Sequence, residues 1–160
     1  MNQVYLGLGS NLSNPRQQLM CAHSALQKLP QASVVKMSSL FASKPMGPQD
    51  QPDYVNSVVT LKWSGTPIEM LDACQQIEQQ HGRERKDERW GPRTLDIDIL
   101  LFGQHIIDSQ RLTVPHYGMK AREFVLYPLA ELQPDLQLPC GTQLSSLLQQ
   151  VPKNGLYKLD

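Results

Sequence analysis

The stretch from Arg83 to Leu100 carries the densest concentration of reactive side chains in the chain. Asp96 and Asp98 stand two residues apart at the entry to the apolar run Ile97, Ile99, Leu100, Leu101 and Phe102. On a strand, alternate residues share a face with Cα atoms ~6–7 Å apart, so the two carboxylates point the same way. Held together they repel, and partial burial raises the cost. A divalent cation removes that cost. Oxygen-only ligation by few protein groups suits Mg²⁺, which keeps waters and completes its shell with phosphate oxygens. Taken alone, the same pair also describes two solvated aspartates at a strand end.

The flanking residues sharpen the choice. Five of the 15 basic residues, Arg83, Arg85, Lys86, Arg89 and Arg93, fall in one short loop of a chain whose net charge is zero. Guanidinium groups grip phosphate oxygens in pairs. Glu84, Asp87 and Glu88 interleave with them, so the loop by itself also fits a solvated, charge-mixed surface. Beside paired carboxylates it describes a site for a metal-chelated polyphosphate, where cations share the negative charge. Trp90 sits among these charges. A tryptophan is costly to expose, so it packs either on a closing loop or on the body of the domain. No GxxxxGK[ST], HExxH or GxSxG is present, and Gly7-Leu8-Gly9 is followed by Leu12 where a dinucleotide fingerprint needs its third glycine. P-loop nucleotide binding, zinc peptidase chemistry of that type and the usual serine hydrolases are excluded.

These groups need a scaffold. Val4 to Leu8 reads as a strand running into a turn cluster of Gly7, Gly9, Ser10 and Asn11. Asn14-Pro15 opens a helix, with Asn as N-cap and Leu19, Ala22, Leu26 and Leu29 at helical spacing, and Pro30 stops it. Ser33 to Ala42 contains a second strand, 43–54 an irregular loop, and Val55 to Trp63 a third strand. Thr66-Pro67 opens the next helix, and Glu69 completes a capping box. Its core face is Ile68, Leu71, Cys74 and Ile77 or Gln75, and Gly82 ends it. Ile97 to Phe102 is the fourth strand, and His105 to Asp108 is expected to pair with it as a hairpin. Met119 to Leu129 and Thr142 to Gln150 read as helices. The order β-α-β-β-α-β places two helices on one face of a mainly antiparallel sheet. It is an α+β, ferredoxin-like plan with a C-terminal extension, in one domain over 1–160.

Composition bounds the rest. The chain has 160 residues and is 40% hydrophobic, with 15 basic and 15 acidic side chains. That suits one domain with a real core and argues against global disorder. A zero net charge argues against a general nucleic-acid or membrane-surface binder. Cys21, Cys74 and Cys140 are far apart with no CxxC pair, which fits reduced thiols. No signal-peptide pattern or ~18-residue apolar run occurs. A soluble, cytoplasmic protein is expected.

With those residues in place, Arg89-x-Gly91-Pro92-Arg93-x-x-Asp96-Ile97-Asp98-Ile99-Leu100 closely resembles the signature of the 6-hydroxymethyl-7,8-dihydropterin pyrophosphokinases. The resemblance extends to Gly9-Ser10-Asn11, to the loop from Pro45 to Tyr54, to Asn56, and to Leu112-Thr113-Val114-Pro115-His116-Tyr117. It implies transfer of the terminal pyrophosphoryl group of ATP to the pterin hydroxymethyl oxygen, leaving AMP, in folate biosynthesis. It implies that Asp96 and Asp98 hold two Mg²⁺ ions, and that Arg83, Arg85, Trp90 and Arg93 belong to a mobile loop, with Arg83 and Arg93 in catalytic roles. Arg111, Thr113, His116, Tyr117 and Arg122 look like ATP contacts, with Gln75, Glu78 and the Ile99 backbone near the adenine. Tyr54 and Phe124 look like the two faces that sandwich the pterin. Asn56 looks like its polar reader, helped by backbone at Ser43 and Met46 beside Pro45. The partners implied are ATP and the dihydropterin alone, with a monomer expected. Ser43-Lys44 stands where such proteins often show Thr-Pro, which bears on loop stiffness.

Two rivals stay open at this level. A Mg²⁺-dependent phosphohydrolase would use the same aspartates. An RNA-binding module on a ferredoxin-like sheet would need exposed aromatics on adjacent central strands, and aromatics make up only 6% of the chain.

Overall fold

The computed structural model describes residues 1–11, 14–43, 54–81 and 95–159. Eight strands and four α-helices follow in the order β1 (Asn2–Ser10), α1 (Pro15–Gln27), β2 (Ala32–Met37), β3 (Phe41–Ser43), β4 (Tyr54–Trp63), α2 (Pro67–Gln80), β5 (Asp96–Phe102), β6 (Ile107–Asp108), β7 (Thr113–Val114), α3 (Glu123–Leu132), α4 (Leu144–Gln150) and β8 (Tyr157–Lys158). A short 3₁₀ turn covers Met119–Ala121. The main sheet runs β5-β1-β4-β3-β8, with β2 also paired to β4, and each pairing is antiparallel. With β2 and β3 counted as one interrupted strand, this is the βαββαβ arrangement expected from the sequence.

Alternation along the strands divides the interior in two. Val4, Leu6 and Leu8 of β1 face Leu19, Ala22 and Leu26 of α1 and Met70, Cys74 and Ile77 of α2. Tyr5, Val58, Leu100 and Leu101 face the other way, onto Val125, Leu126 and Leu129 of α3 and Leu144 and Leu147 of α4. Helices therefore cover both faces of the sheet. A register shift between Tyr5 and Leu6 pairs Tyr5 with Leu101 and Leu6 with Ile99, so Leu100 is the extra residue of a β-bulge. The bulge lets Leu100 and Leu101 join one core while Phe102 returns to the other.

Several boundaries differ from the sequence expectation for local reasons. Gly7 and Gly9 lie inside β1, which runs on to Ser10; they are strand positions, not a turn. The second strand is broken at Ser38, whose hydroxyl takes the Val58 N–H at 3.0 Å and meets the Ser57 hydroxyl at 2.8 Å. Asn14 occupies the N-cap of α1 in the left-handed region, but its side chain makes no cap bond and donates instead to Gln17 Oε1 at 3.2 Å. In α2 the buried residues are Met70, Cys74, Ile77 and Glu78, with Ile68 and Leu71 only partly covered. Residues 107–108 pair with 113–114 rather than with β5. The Ser109 hydroxyl accepts the Leu112 N–H at 3.2 Å and donates to its carbonyl at 3.1 Å, closing a tight turn between β6 and β7. The expected helix from Met119 breaks at Arg122, which is extended (φ −110°, ψ 110°) and serves as the N-cap position of α3.

The capping box of α2 forms as the sequence predicts. Thr66 Oγ1 accepts the Glu69 N–H at 3.1 Å, and Glu69 Oε1 accepts the Thr66 N–H at 2.8 Å. The Trp63 indole N–H also donates to the Thr66 carbonyl at 2.9 Å, tying the helix start to the end of β4. Thr66→Ala is expected to lower stability by about 1 kcal/mol without changing activity, as read by urea denaturation and a turnover assay.

Candidate active site

Asp96 and Asp98 emerge on the α3 side of β5, because Ile97 and Ile99 between and after them fill the opposite core. Across the ladder, Asp96 faces Gly9 and Asp98 faces Gly7. Gly9 in turn faces Asn56 on β4. The row Asp96–Gly9–Asn56 thus crosses three adjacent strands, about 10 Å from end to end. Glycine at its centre is what leaves it open: a Cβ at Gly9 would lie 3.1 Å from Asn56 Nδ2. At Gly7 a Cβ would touch Leu100 at 3.4 Å.

Over this floor lies a cavity of about 260 Å³, with Ser43, Tyr54, Asn56, Asp96, Asp98, His116, Arg122 and Phe124 in its walls. Eight residues that the resemblance implicates, drawn from β3, β4, β5, the segment after β7 and the start of α3, therefore meet in one place. Gln75, Glu78, Arg111, Thr113 and Tyr117 do not line it. Arg111 donates to Asp72 at 2.7 Å and to Gln75 at 3.3 Å. Glu78 is 5% exposed, and its carboxylate accepts the Ile97 N–H at 2.7 Å, which anchors β5 between the two aspartates. Arg83, Arg85, Trp90, Arg93, Pro45 and Met46 lie outside the described residues.

His116 is fixed at both ends. Its backbone N–H donates to the Leu100 carbonyl at 3.0 Å. Ring Nδ1 accepts the Gly118 N–H at 3.2 Å, so the neutral ring carries its proton on Nε2. Nε2 lies 4.0 Å from Asp98 Oδ2. Burial pulls the imidazole below its ordinary pKa, and the Asp98 carboxylate opposes that shift. The His116 ring stacks on Tyr117 with centroids 4.7 Å apart. The Arg122 guanidinium sits 5.7 Å from the centres of both Tyr117 and Phe124. Gly118 makes room for it, since a Cβ there would fall 2.8 Å from Arg122 Nε.

The donor set suits a hard cation. Asp96 and Asp98 offer only oxygen, on one face, beside empty space over two glycines. Among the described residues no group of three or more His, Cys, Asp or Glu side chains could enclose a metal. An ion there would take its remaining ligands from water or a bound polyanion. The negative field is felt nearby: burial pushes the Cys74 thiol well up, and the Glu78 and Asp98 carboxylates add to it. Sequence reasoning missed Gly7, Gly9 and Gly118 as parts of the site. The signal for the first two was their alternation with Tyr5 in a strand two residues longer at each end than it looked.

A family model described as 7,8-dihydro-6-hydroxymethylpterin-pyrophosphokinase matches residues 5–134. A Pseudomonas aeruginosa protein named 2-amino-4-hydroxy-6-hydroxymethyldihydropteridine pyrophosphokinase is 52% identical over 159 residues, covering 99% of this chain and 98% of its own. A Haemophilus influenzae protein of the same name is 47% identical over 160 residues, covering 100% and 99%. In three dimensions the chain resembles the Plasmodium falciparum HPPK-DHPS wild type with pteroate, with a TM-score of 0.72 at 15% identity. That match covers 93% of this chain and 42% of the longer one, and it speaks for the fold alone.

Gly9→Ala is expected to weaken binding of a planar heterocycle in the cavity about tenfold or more, because its Cβ displaces the Asn56 amide. Calorimetric titration with 6-hydroxymethylpterin measures it, with circular dichroism as the check on folding.

Proposed function

This chain belongs to the 7,8-dihydro-6-hydroxymethylpterin-pyrophosphokinase family, and from that premise we propose how its cavity carries out the reaction. The protein is a pyrophosphokinase of folate biosynthesis, transferring a pyrophosphoryl group from ATP to the hydroxymethyl group of a dihydropterin. The supporting observation is that one cavity is lined by a carboxylate pair, an amide and two aromatic rings.

Tyr54 and Phe124 take the faces of the bicyclic ring, where a flat heterocycle gains from two aromatic walls. Asn56 reads its edge through its carboxamide N–H₂ and penalises analogues that leave that donor unpaired. Asp96 and Asp98 would hold two Mg²⁺ ions at the other end of the row. Bound there, Mg²⁺ supplies charge neutralisation for the triphosphate. Held by Tyr54, Phe124 and Asn56, the pterin presents its hydroxyl to the β-phosphorus of ATP for in-line attack, a transfer that rests on positioning and electrostatics more than on covalent help.

His116 offers its Nε2–H and Arg122 its guanidinium to phosphate oxygens. Arg83 and Arg93 serve the transferring group, with Arg85 and Trp90 completing the phosphate grip and excluding water. Arg111, Thr113, Tyr117, Gln75, Glu78 and the Ile99 backbone serve the nucleoside along the outer edge of β5. Pro45, Met46 and the Ser43 backbone serve the pterin. We also infer a single domain, a monomer and a cytoplasmic setting, supported by one sheet shared between both cores and by three free cysteines.

Incubation with Mg-ATP and 6-hydroxymethyl-7,8-dihydropterin is expected to yield AMP and the pterin diphosphate in equal amounts. Free phosphate released without the pterin would identify a hydrolase instead. Asp96→Ala and Asp98→Ala are each expected to lower turnover at least a thousandfold with circular dichroism unchanged, and chelation of the metal is expected to do the same to the parent protein. Near-normal turnover in either variant would remove the metal assignment.

A further inference from the structure

The role implied for Ser43 above is a backbone contact, which leaves its side chain without a task. The structure gives it one. Ser43 Oγ–H donates to Asn56 Oδ1 at 2.8 Å, and both residues are buried, at 9% and 7% exposure. No other hydrogen bond of the Asn56 side chain is formed among the described residues. Its amide nitrogen is therefore left for the cavity, on the side where Gly9 has no Cβ. A carboxamide on a strand turns freely about its last torsion unless something holds it. Here one hydroxyl does.

Ser43 is itself held on two sides. It pairs with Tyr54 across the β3–β4 ladder. On its other side β3 pairs with β8, Phe41 facing Lys158 and Ala42 facing Tyr157. Glu131 of α3 ties these pieces together, accepting the Ser39 N–H at 2.8 Å and meeting Lys158 Nζ at 3.0 Å. Leu159 N–H adds a bond to the Leu40 carbonyl at 2.8 Å. The segment that buttresses β3 lies beyond residue 134, where the family model ends.

We propose that Ser43 is a positioning residue: its hydroxyl, braced by the C-terminal strand, sets the Asn56 carboxamide so that its N–H₂ meets an acceptor on the edge of the pterin ring. The proposal rests on the pterin reading of the cavity. Losing the hydroxyl frees the amide, so the cost falls on recognition of the heterocycle and not on the nucleotide. It is a cost in preorganisation, since Asn56 keeps all its own groups.

Calorimetry and steady-state kinetics on Ser43→Ala and Ser43→Thr test it. Ser43→Ala is expected to raise Kd and KM for the pterin about five- to tenfold, the size of one lost hydrogen bond, with kcat and the Kd of a Mg-ATP analogue within twofold of the parent. Ser43→Thr restores both pterin constants. An unchanged pterin Kd in Ser43→Ala overturns the proposal, and so does an equal loss for both ligands or a failure of threonine to rescue. If the parent protein itself does not bind the pterin, the functional reading falls separately. The order parameter of the Asn56 side-chain N–H₂ group then decides the local claim: a fall in Ser43→Ala upholds the hold on Asn56, and an unaltered value refutes it.

Discussion

The pleat of an antiparallel strand sends neighbouring side chains to opposite sides, and that separation governs everything in this molecule. On β5 it puts Ile97 and Ile99 into a dry core while Asp96 and Asp98 face a cavity. On β1 it puts Val4, Leu6 and Leu8 into the same core and leaves Tyr5, Gly7 and Gly9 on the other side. A one-residue slip in β5 would turn both carboxylates into the apolar core. The apolar residues therefore do more than hold the sheet together. They fix which way the polar ones look, because the alternative register strands unpaired charge in a low-dielectric interior.

The bulge at Leu100 belongs to the same logic. A strict alternation through Phe102 would set Leu101 in the α1–α2 core and Phe102 against α3. The extra residue reverses that order, so Leu101 meets α3 and Phe102 meets the other core. At that extra residue the Leu100 carbonyl takes the His116 N–H. The irregularity thus brings a distant segment of chain to the wall of the cavity, close to Asp98.

Much of this was legible from local pattern. The spacing of Asp96 and Asp98 before an apolar run gave their common face, and Thr66-Pro67 with Glu69 gave the start of α2. Tyr54, Asn56 and Phe124, which are ambiguous as isolated residues, line one cavity. What was not legible depends on contacts distant in sequence. Nothing near Ser38 announces that its hydroxyl will bond a residue of β4 and break a strand in two. Nothing near Leu100 marks it as the extra residue against β1. Met70 is buried where Leu71 is only partly so, because the packing of α2 on the sheet, and not its local spacing, selects the inward side. The glycines of β1 looked like a turn because the residue type that permits tight bends also permits an empty floor.

Glu78 has a consequence at the outer border of the sheet. Among the described residues the strand β5 is a terminal one, with a side that no other strand covers. An exposed border of this kind offers unsatisfied amides and carbonyls to any passing extended chain, the usual seed of aggregation. Here the Ile97 amide is taken by the Glu78 carboxylate and the Leu100 carbonyl by the His116 amide. Two of the groups a foreign strand would need are already occupied from within the same polypeptide, so docking there would first require breaking a charge-assisted bond. The contact that steadies the cavity-facing strand also guards the protein against self-association through its border.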